Sequence, residues 1–149
     1  MLNEDYSDML RILIDHEVRF LIVGAYALGA HGYPRATGDF DIWVESSEEN
    51  ARRVLDALKV FGAPVGNLPQ KTFAEPGIVY QIGAAPRRID VRTSIDGVAF
   101  APAYERRMVP GLEQMALPFI SREDLIANKR ASGRRKDQWD ADVLEGVAD

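Results

Sequence analysis

Two short segments do most to limit the architectures open to this sequence. Phe20-Leu21-Ile22-Val23 is continuously apolar and stops at Gly24, while Asp39-Phe40-Asp41-Ile42-Trp43-Val44-Glu45 alternates residue by residue. The first pattern belongs to a strand buried on both faces. The second belongs to a strand with Phe40, Ile42 and Val44 on an apolar face and Asp39, Asp41, Trp43 and Glu45 on the other. Between them, Ala25 to Ala30 is rich in helix formers and Gly32-Tyr33-Pro34 breaks the helix. The chain therefore reads strand, turn, short helix, acidic strand.

The flanking sequence supplies the remaining layers. Met9, Ile12 and Leu13 recur at helical spacing and predict a helix within residues 5 to 18. Ser46 or Ser47 caps a helix with Glu48 and Glu49 in its first turn and Val54, Leu55 and Leu58 facing inward, until Gly62 ends it. Residues 62 to 77 carry Pro64, Pro69 and Pro76 among several glycines, which predicts a mobile loop passing near the site. Ile78 to Ile82 and Arg88 to Ile95 read as strands joined across Gly83 to Pro86, and Phe100 to Arg107 as a short helix. Ser121 and Asp124 resemble a capping box opening a helix through Ala131, and a last helix runs from Arg135 to Val147 beyond Gly133. With no internal repeat, the 149 residues predict one domain, 1–149, around one core.

Composition narrows the function classes. The absence of cysteine excludes disulfides, thiolate metal sites and thiol redox chemistry, and it agrees with a reducing cytoplasm. No apolar run approaches the roughly 20 residues of a membrane span, and the first twenty residues lack a basic stretch followed by an apolar core. We therefore expect a cytoplasmic protein with no membrane partner. A net charge of −5 argues against a dedicated nonspecific DNA binder. Locally the balance reverses: Lys129, Arg130, Arg134, Arg135 and Lys136 fall within eight positions and form either a solvated helix face or a seat for a polyanion.

The acidic strand carries the chemistry. Residues two apart on a strand share a face with Cα atoms roughly 6.5 Å apart, so Asp39 and Asp41 are neighbours. Two carboxylates held this close need a shared proton or a cation, and a hard divalent ion such as Mg²⁺ prefers carboxylate oxygens. Asp90 lies between Ile89 and Val91 and points away from their apolar face, so it becomes a third ligand if its strand lies beside the first. Such a trio could hold two ions about 3.5 to 4 Å apart, as phosphoryl or nucleotidyl transfer requires. Gly24 at a strand exit, followed by Ala25 at a helix start, lets backbone N–H groups approach a phosphate, although glycines there often serve only to turn the chain.

These residues resemble the DNA polymerase beta-like nucleotidyltransferase superfamily, and in particular its small prokaryotic domains that include abortive-infection type toxins. The resemblance rests on Val23-Gly24-Ala25, on Arg35-Ala36-Thr37-Gly38-Asp39-Phe40-Asp41-Ile42, and on the later acidic strand Arg88-Ile89-Asp90-Val91. It extends to a closing helical motif, Ile120 to Lys129 followed by Arg134-Arg135-Lys136-Asp137-Gln138-Trp139-Asp140. It implies an α/β fold, α+β in strict usage: the nucleotidyltransferase fold, a mixed sheet with helices packed on it. It further implies a Mg²⁺- or Mn²⁺-dependent enzyme that moves an NMP from an NTP to an acceptor hydroxyl and releases pyrophosphate. The acceptor is an RNA end, a protein or a small molecule, and a cognate partner protein goes with the toxin likeness.

By the same likeness Asp39, Asp41 and Asp90 are the catalytic metal ligands. Gly24, Ala25, Thr37, Lys129, Arg134 and Asp137 bind the nucleotide, with Lys129 toward the phosphates. Arg134, Lys136 and Asp137 either touch substrate or brace Lys129, and Arg35 and Thr37 position the loop before the metal strand. Ala25 departs from the glycine or serine common at its position, which removes a hydroxyl and leaves backbone donation. His16 and His31 are assigned packing or surface roles. The alternatives are a non-catalytic nucleotide-binding or regulatory module of the same fold, and a metal-dependent phosphoesterase acting on nucleic acid.

Overall fold

The fold begins with a capped helix. In the computed structural model, which describes residues 2–147, the Asn3 side chain accepts a hydrogen bond from the Tyr6 amide at 2.9 Å and starts α1, Glu4–Asp15. Glu4 and Asp5 in its first turn favour the helix dipole, and Tyr6, Met9, Leu10 and Leu13 form its buried face. The chain then enters β1, Phe20–Val23, buried at every position, and passes directly into α2, Gly24–Ala30. Strand β2, Asp39–Val44, follows the loop after α2.

Ser47 caps α3, Glu48–Phe61, by accepting from the Asn50 amide, and Gly62 ends it in the left-handed conformation at φ 97°. Asn50 is itself 1% exposed and ties this helix to the sheet. Its amide oxygen accepts from the Arg19 N–H at 2.8 Å, and its NH2 donates to the carbonyls of Arg19 and Glu45. Strands β3, Val79–Ile82, and β4, Arg88–Arg92, precede the short α4, Phe100–Glu105. The chain closes with α5, Arg122–Ser132, capped by Ser121, and α6, Arg135–Glu145.

The four strands form one mixed sheet in the order β1-β2-β4-β3. β2 runs antiparallel to β1 and parallel to β4, and β3 runs antiparallel to β4. Phe40, Ile42, Val44, Ile89 and Val91 project from one face into the core. There Phe40 stacks on Tyr6 with centroids 4.7 Å apart and meets Tyr26 edge-on at 4.9 Å. Alternation leaves Asp39, Asp41, Arg88, Asp90 and Arg92 on the opposite face. No helix among the described residues is long and apolar enough to cross a membrane.

Three local expectations change, and one feature was not foreseen. Trp43 shares the acidic face but is 1% exposed and packs edge-on against Phe100 at 5.1 Å, so the acidic surface ends at Asp41. The strand expected to reach Ile95 stops at Arg92, because Thr93 and Ser94 turn their hydroxyls to accept from the Ile78 and Gly77 amides. The segment 62–77 is pinned by the fully buried Phe73 in a single 3-10 turn, Thr72–Ala74, and lines neither of the two larger cavities. Residues 118–120 pair alongside β1 through Ile22 N–H to Pro118 O, 2.8 Å, and Ile120 N–H to Ile22 O, 3.1 Å, and so cover that sheet edge.

Candidate active site

The register of β2 on β4 sets Asp41 directly opposite Asp90 and Asp39 opposite Arg88. One carboxylate oxygen from each of Asp39, Asp41 and Asp90 lies within 4.8 Å of the other two. Two arginines that sequence reasoning passed over share the cluster. The Arg88 guanidinium reaches Asp39 at 3.2 Å and Asp90 at 3.1 Å. Arg92 Nε donates to Asp41 at 3.2 Å, and its Nη2 lies 3.7 Å from Asp90. Their signal was present in the strand period: each stands two residues from Asp90 and therefore on its face.

Burial drives the Asp41 carboxyl above its ordinary range; Arg92 counters that effect, and the neighbouring charges of Asp39 and Asp90 add to it. Asp90 is entirely buried behind the two arginines. Three hard oxygen donors gathered in a partly desolvated site, where burial and like charge disfavour the ionised form of Asp41, are compatible with a divalent ion.

Val23 pairs with Asp41, so the exit of β1 delivers Gly24 beside the cluster. Gly24 has φ +70°, and a Cβ there would run into Asp41 Oδ2. Both the backbone conformation and the close approach thus call for glycine. No side chain caps the first turn of α2, which leaves its early backbone N–H groups without a side-chain partner, and Gly24 and Ala25 line the cleft. Thr37 turns its hydroxyl onto the cluster and donates to Asp39 Oδ1 at 2.9 Å.

The opposite wall is the α5–α6 hairpin, which turns at Gly133 in the left-handed conformation, φ 73°. Lys129 Nζ lies 3.2 Å from both Asp137 and Asp140. Asp137 also accepts from Ser132 Oγ at 2.6 Å and Arg134 Nε at 2.8 Å. Burial works against its charge, but these bonds and the Lys129 ammonium hold its carboxyl below the usual range. Asp140, to which the sequence reading gave no role, is 1% exposed and binds Arg35 at 2.7 Å. It thereby fastens the loop before β2 to α6. Lys136 is exposed at the same cleft and makes no ion pair among the described residues.

Sheet and hairpin enclose a cleft of about 680 Å³. It is lined by Gly24, Ala25, Thr37, Asp39, Asp41, Lys129, Arg134 and Asp137, together with Arg35, Arg88, Arg92 and Lys136. Eight of the nine residues assigned from sequence to metal or nucleotide binding line it; the ninth, Asp90, lies behind Arg88 and Arg92. A second cavity of about 510 Å³, lined by apolar groups such as Tyr26, Leu112 and Phe119, adjoins through Ala25, Arg35 and Thr37. The histidines lie elsewhere: His16 Nδ1 is 2.9 Å from the Ile12 carbonyl and His31 Nε2 is 2.9 Å from that of Ile120.

Comparison with solved structures places this architecture. A candidate nucleotidyltransferase from Thermotoga maritima superposes with a TM-score of 0.59 over 98% of this chain and 94% of its own, at 15% identity. The fold is the nucleotidyltransferase fold. ANT(2")-Ia, solved in complex with adenylyl-2"-tobramycin, shares this nucleotidyltransferase fold with a TM-score of 0.59 and 15% identity, over 95% of this chain and 83% of its own. No protein-family model matches the sequence. No curated protein matches it either. At this identity the likeness concerns the nucleotidyltransferase fold, and activity must be argued from the cleft.

Proposed function

We propose that the chain is a metal-dependent nucleotidyltransferase, moving a nucleoside monophosphate from an NTP to an acceptor hydroxyl. The observation that carries this reading is the convergence of Asp39, Asp41 and Asp90 within 4.8 Å on a cleft whose facing wall is cationic. That wall, with Arg35, carries four cations, Arg35, Lys129, Arg134 and Lys136, the first three of them paired with the carboxylates of Asp137 and Asp140 and Lys136 unpaired among the described residues. An anionic triphosphate fits between that wall and the backbone N–H groups after Gly24. Asp39, Asp41 and Asp90 would hold Mg²⁺ or Mn²⁺, which when bound neutralises phosphate charge and acidifies the acceptor hydroxyl.

In the reaction, the acceptor oxygen bonds to the α-phosphorus as the bond from that phosphorus to the bridging oxygen breaks. Pyrophosphate departs with the electron pair, and the hydroxyl proton passes to a carboxylate that opens on the cleft, Asp39 or Asp41, since Asp90 lies behind Arg88 and Arg92. Thr37 fixes the rotamer of Asp39, and Asp137 with Asp140 holds Lys129 toward the phosphates. The acceptor is an RNA end, a protein hydroxyl or a small molecule. The adenylylated small molecule bound to ANT(2")-Ia supports the last of these, as does the apolar cavity beside the cleft.

Labelled NTPs with Mg²⁺ or Mn²⁺, incubated with mixed RNA, protein and small-molecule acceptors, give product with the native chain and none with the Asp39→Asn, Asp41→Asn double variant. Its far-UV circular dichroism stays native. Turnover unchanged in that variant would remove the assignment. A second reading, nucleotide binding without turnover, draws on Arg88 and Arg92, which balance two of the three carboxylate charges. Calorimetric NTP binding with no product from any acceptor selects that reading.

A further inference from the structure

If the cleft takes a divalent ion as proposed, the ion pairs of Arg88 bear on how it is loaded, an inference that rests on that metal-dependent reading. One guanidinium spans two carboxylates of the cluster: Nη2 lies 3.2 Å from Asp39 Oδ2 and from Asp90 Oδ2, while Nε lies 3.1 Å from Asp90 Oδ1. Asp90 is 0% exposed, and Arg88 and Arg92, not Asp90, face the cleft. The oxygens a divalent ion would coordinate are thus the ones Arg88 engages. Three carboxylates with two guanidiniums carry one net negative charge, a weak attraction for an ion that must also shed water. A triphosphate changes that balance twice, by adding negative charge and by offering Arg88 a planar, bidentate partner of the kind guanidinium prefers.

We propose that Arg88 is an internal competitor for the metal site, which makes ion binding conditional on nucleotide. In the free protein it bridges Asp39 and Asp90. When the triphosphate enters, the side chain swings from the carboxylates to the phosphates, and the exposed oxygens of Asp39 and Asp90 accept the ion. Arg88 is then a positioning residue for the ion and a binding residue for the nucleotide. Metal and nucleotide bind cooperatively, and by linkage each tightens the other by one common factor.

Calorimetric titration of Mn²⁺ into the full chain, with and without a non-hydrolysable NTP analogue, tests this without any turnover. In the native chain the analogue tightens Mn²⁺ binding by about ten-fold or more. Arg88→Gln, which loses the charge and the guanidinium fork, binds Mn²⁺ alone about ten-fold more tightly than the native chain, and the gain from the analogue shrinks. Arg88→Lys, a cation without the planar fork, falls between them. Mn²⁺ binding that Arg88→Gln leaves unchanged or weakens overturns the proposal while the metal site stands. Should Arg88→Gln not fold, equal Mn²⁺ affinity with and without the analogue in the native chain overturns it equally. No Mn²⁺ binding by the native chain or the variants, with or without the analogue, overturns the metal-dependent reading itself.

Discussion

At Asp41, burial and neighbouring carboxylates oppose ionisation, while Arg92 alone favours it, and the net effect raises the carboxyl above its ordinary range. A native state that keeps this proton to higher pH than the unfolded chain gains stability in acid and loses it as pH rises through the folded value. At neutral pH without metal, the charge of Asp41 therefore costs stability. Asp41→Asn should raise the stability of EDTA-treated protein by about 0.5 to 2 kcal/mol at pH 7 to 8 while eliminating transfer. Thermal melts check it, and the difference should close toward acid; a less stable variant at pH 8 would contradict the assignment of Asp41. Thr37 acts through Asp39, to whose carboxylate its hydroxyl donates. Thr37→Val should lower Mn²⁺ affinity or turnover about 10- to 100-fold, and Thr37→Ser should restore it.

Among the elements, the α5–α6 hairpin depends on its buried carboxylates. Asp137 collects Lys129, Ser132 and Arg134, so its carboxyl lies below the ordinary 3.8. The stability it contributes is present above that value and is lost as pH falls below it, through the folded value. Asp137→Asn should cost about 3 kcal/mol at pH 7, measured by urea unfolding, with variant and native chain converging in acid below that range. Equal stability at pH 7 would show that the hairpin does not rely on this pair. On the other wall, Gly24→Ala should destabilise by more than about 1 kcal/mol and abolish nucleotide binding, because the new Cβ needs the space of Asp41 Oδ2 at a positive φ. Native binding in that variant would sever Gly24 from the site. The elements themselves were readable where one local rule decided them: alternation gave β2, a serine cap at 46 or 47, observed at Ser47, and Gly62 bounded α3, and Ser121 opened α5. The short edge made by residues 118–120 was not readable, since it pairs on one side with a strand nearly a hundred residues earlier and on the other only with Met108, through an isolated bridge.

Across the whole molecule, the cleft joins opposite signs: an acidic floor on β2 and β4, and a cationic wall on the last two helices. Asp39 and Asp41 could be paired from sequence because strand geometry fixes neighbours two apart, and Asp90 followed once its strand was assumed adjacent. The pairing of Arg88 with Asp39 and the Arg35–Asp140 bridge depended on strand register and on closure over about a hundred residues, which periodicity does not encode. The apolar cavity beside the cleft escaped for the same reason, since Leu112 and Phe119 reach Tyr26 only in the folded chain. Diffraction from crystals grown with Mn²⁺ and a non-hydrolysable NTP, with anomalous scattering used to locate manganese, tests the central claim most directly. Expected is manganese bonded to carboxylate oxygens of Asp39, Asp41 and Asp90, with phosphates against the backbone of Gly24 and Ala25 and facing Lys129. Manganese away from all three aspartates, or a nucleotide seated outside the cleft, would contradict it.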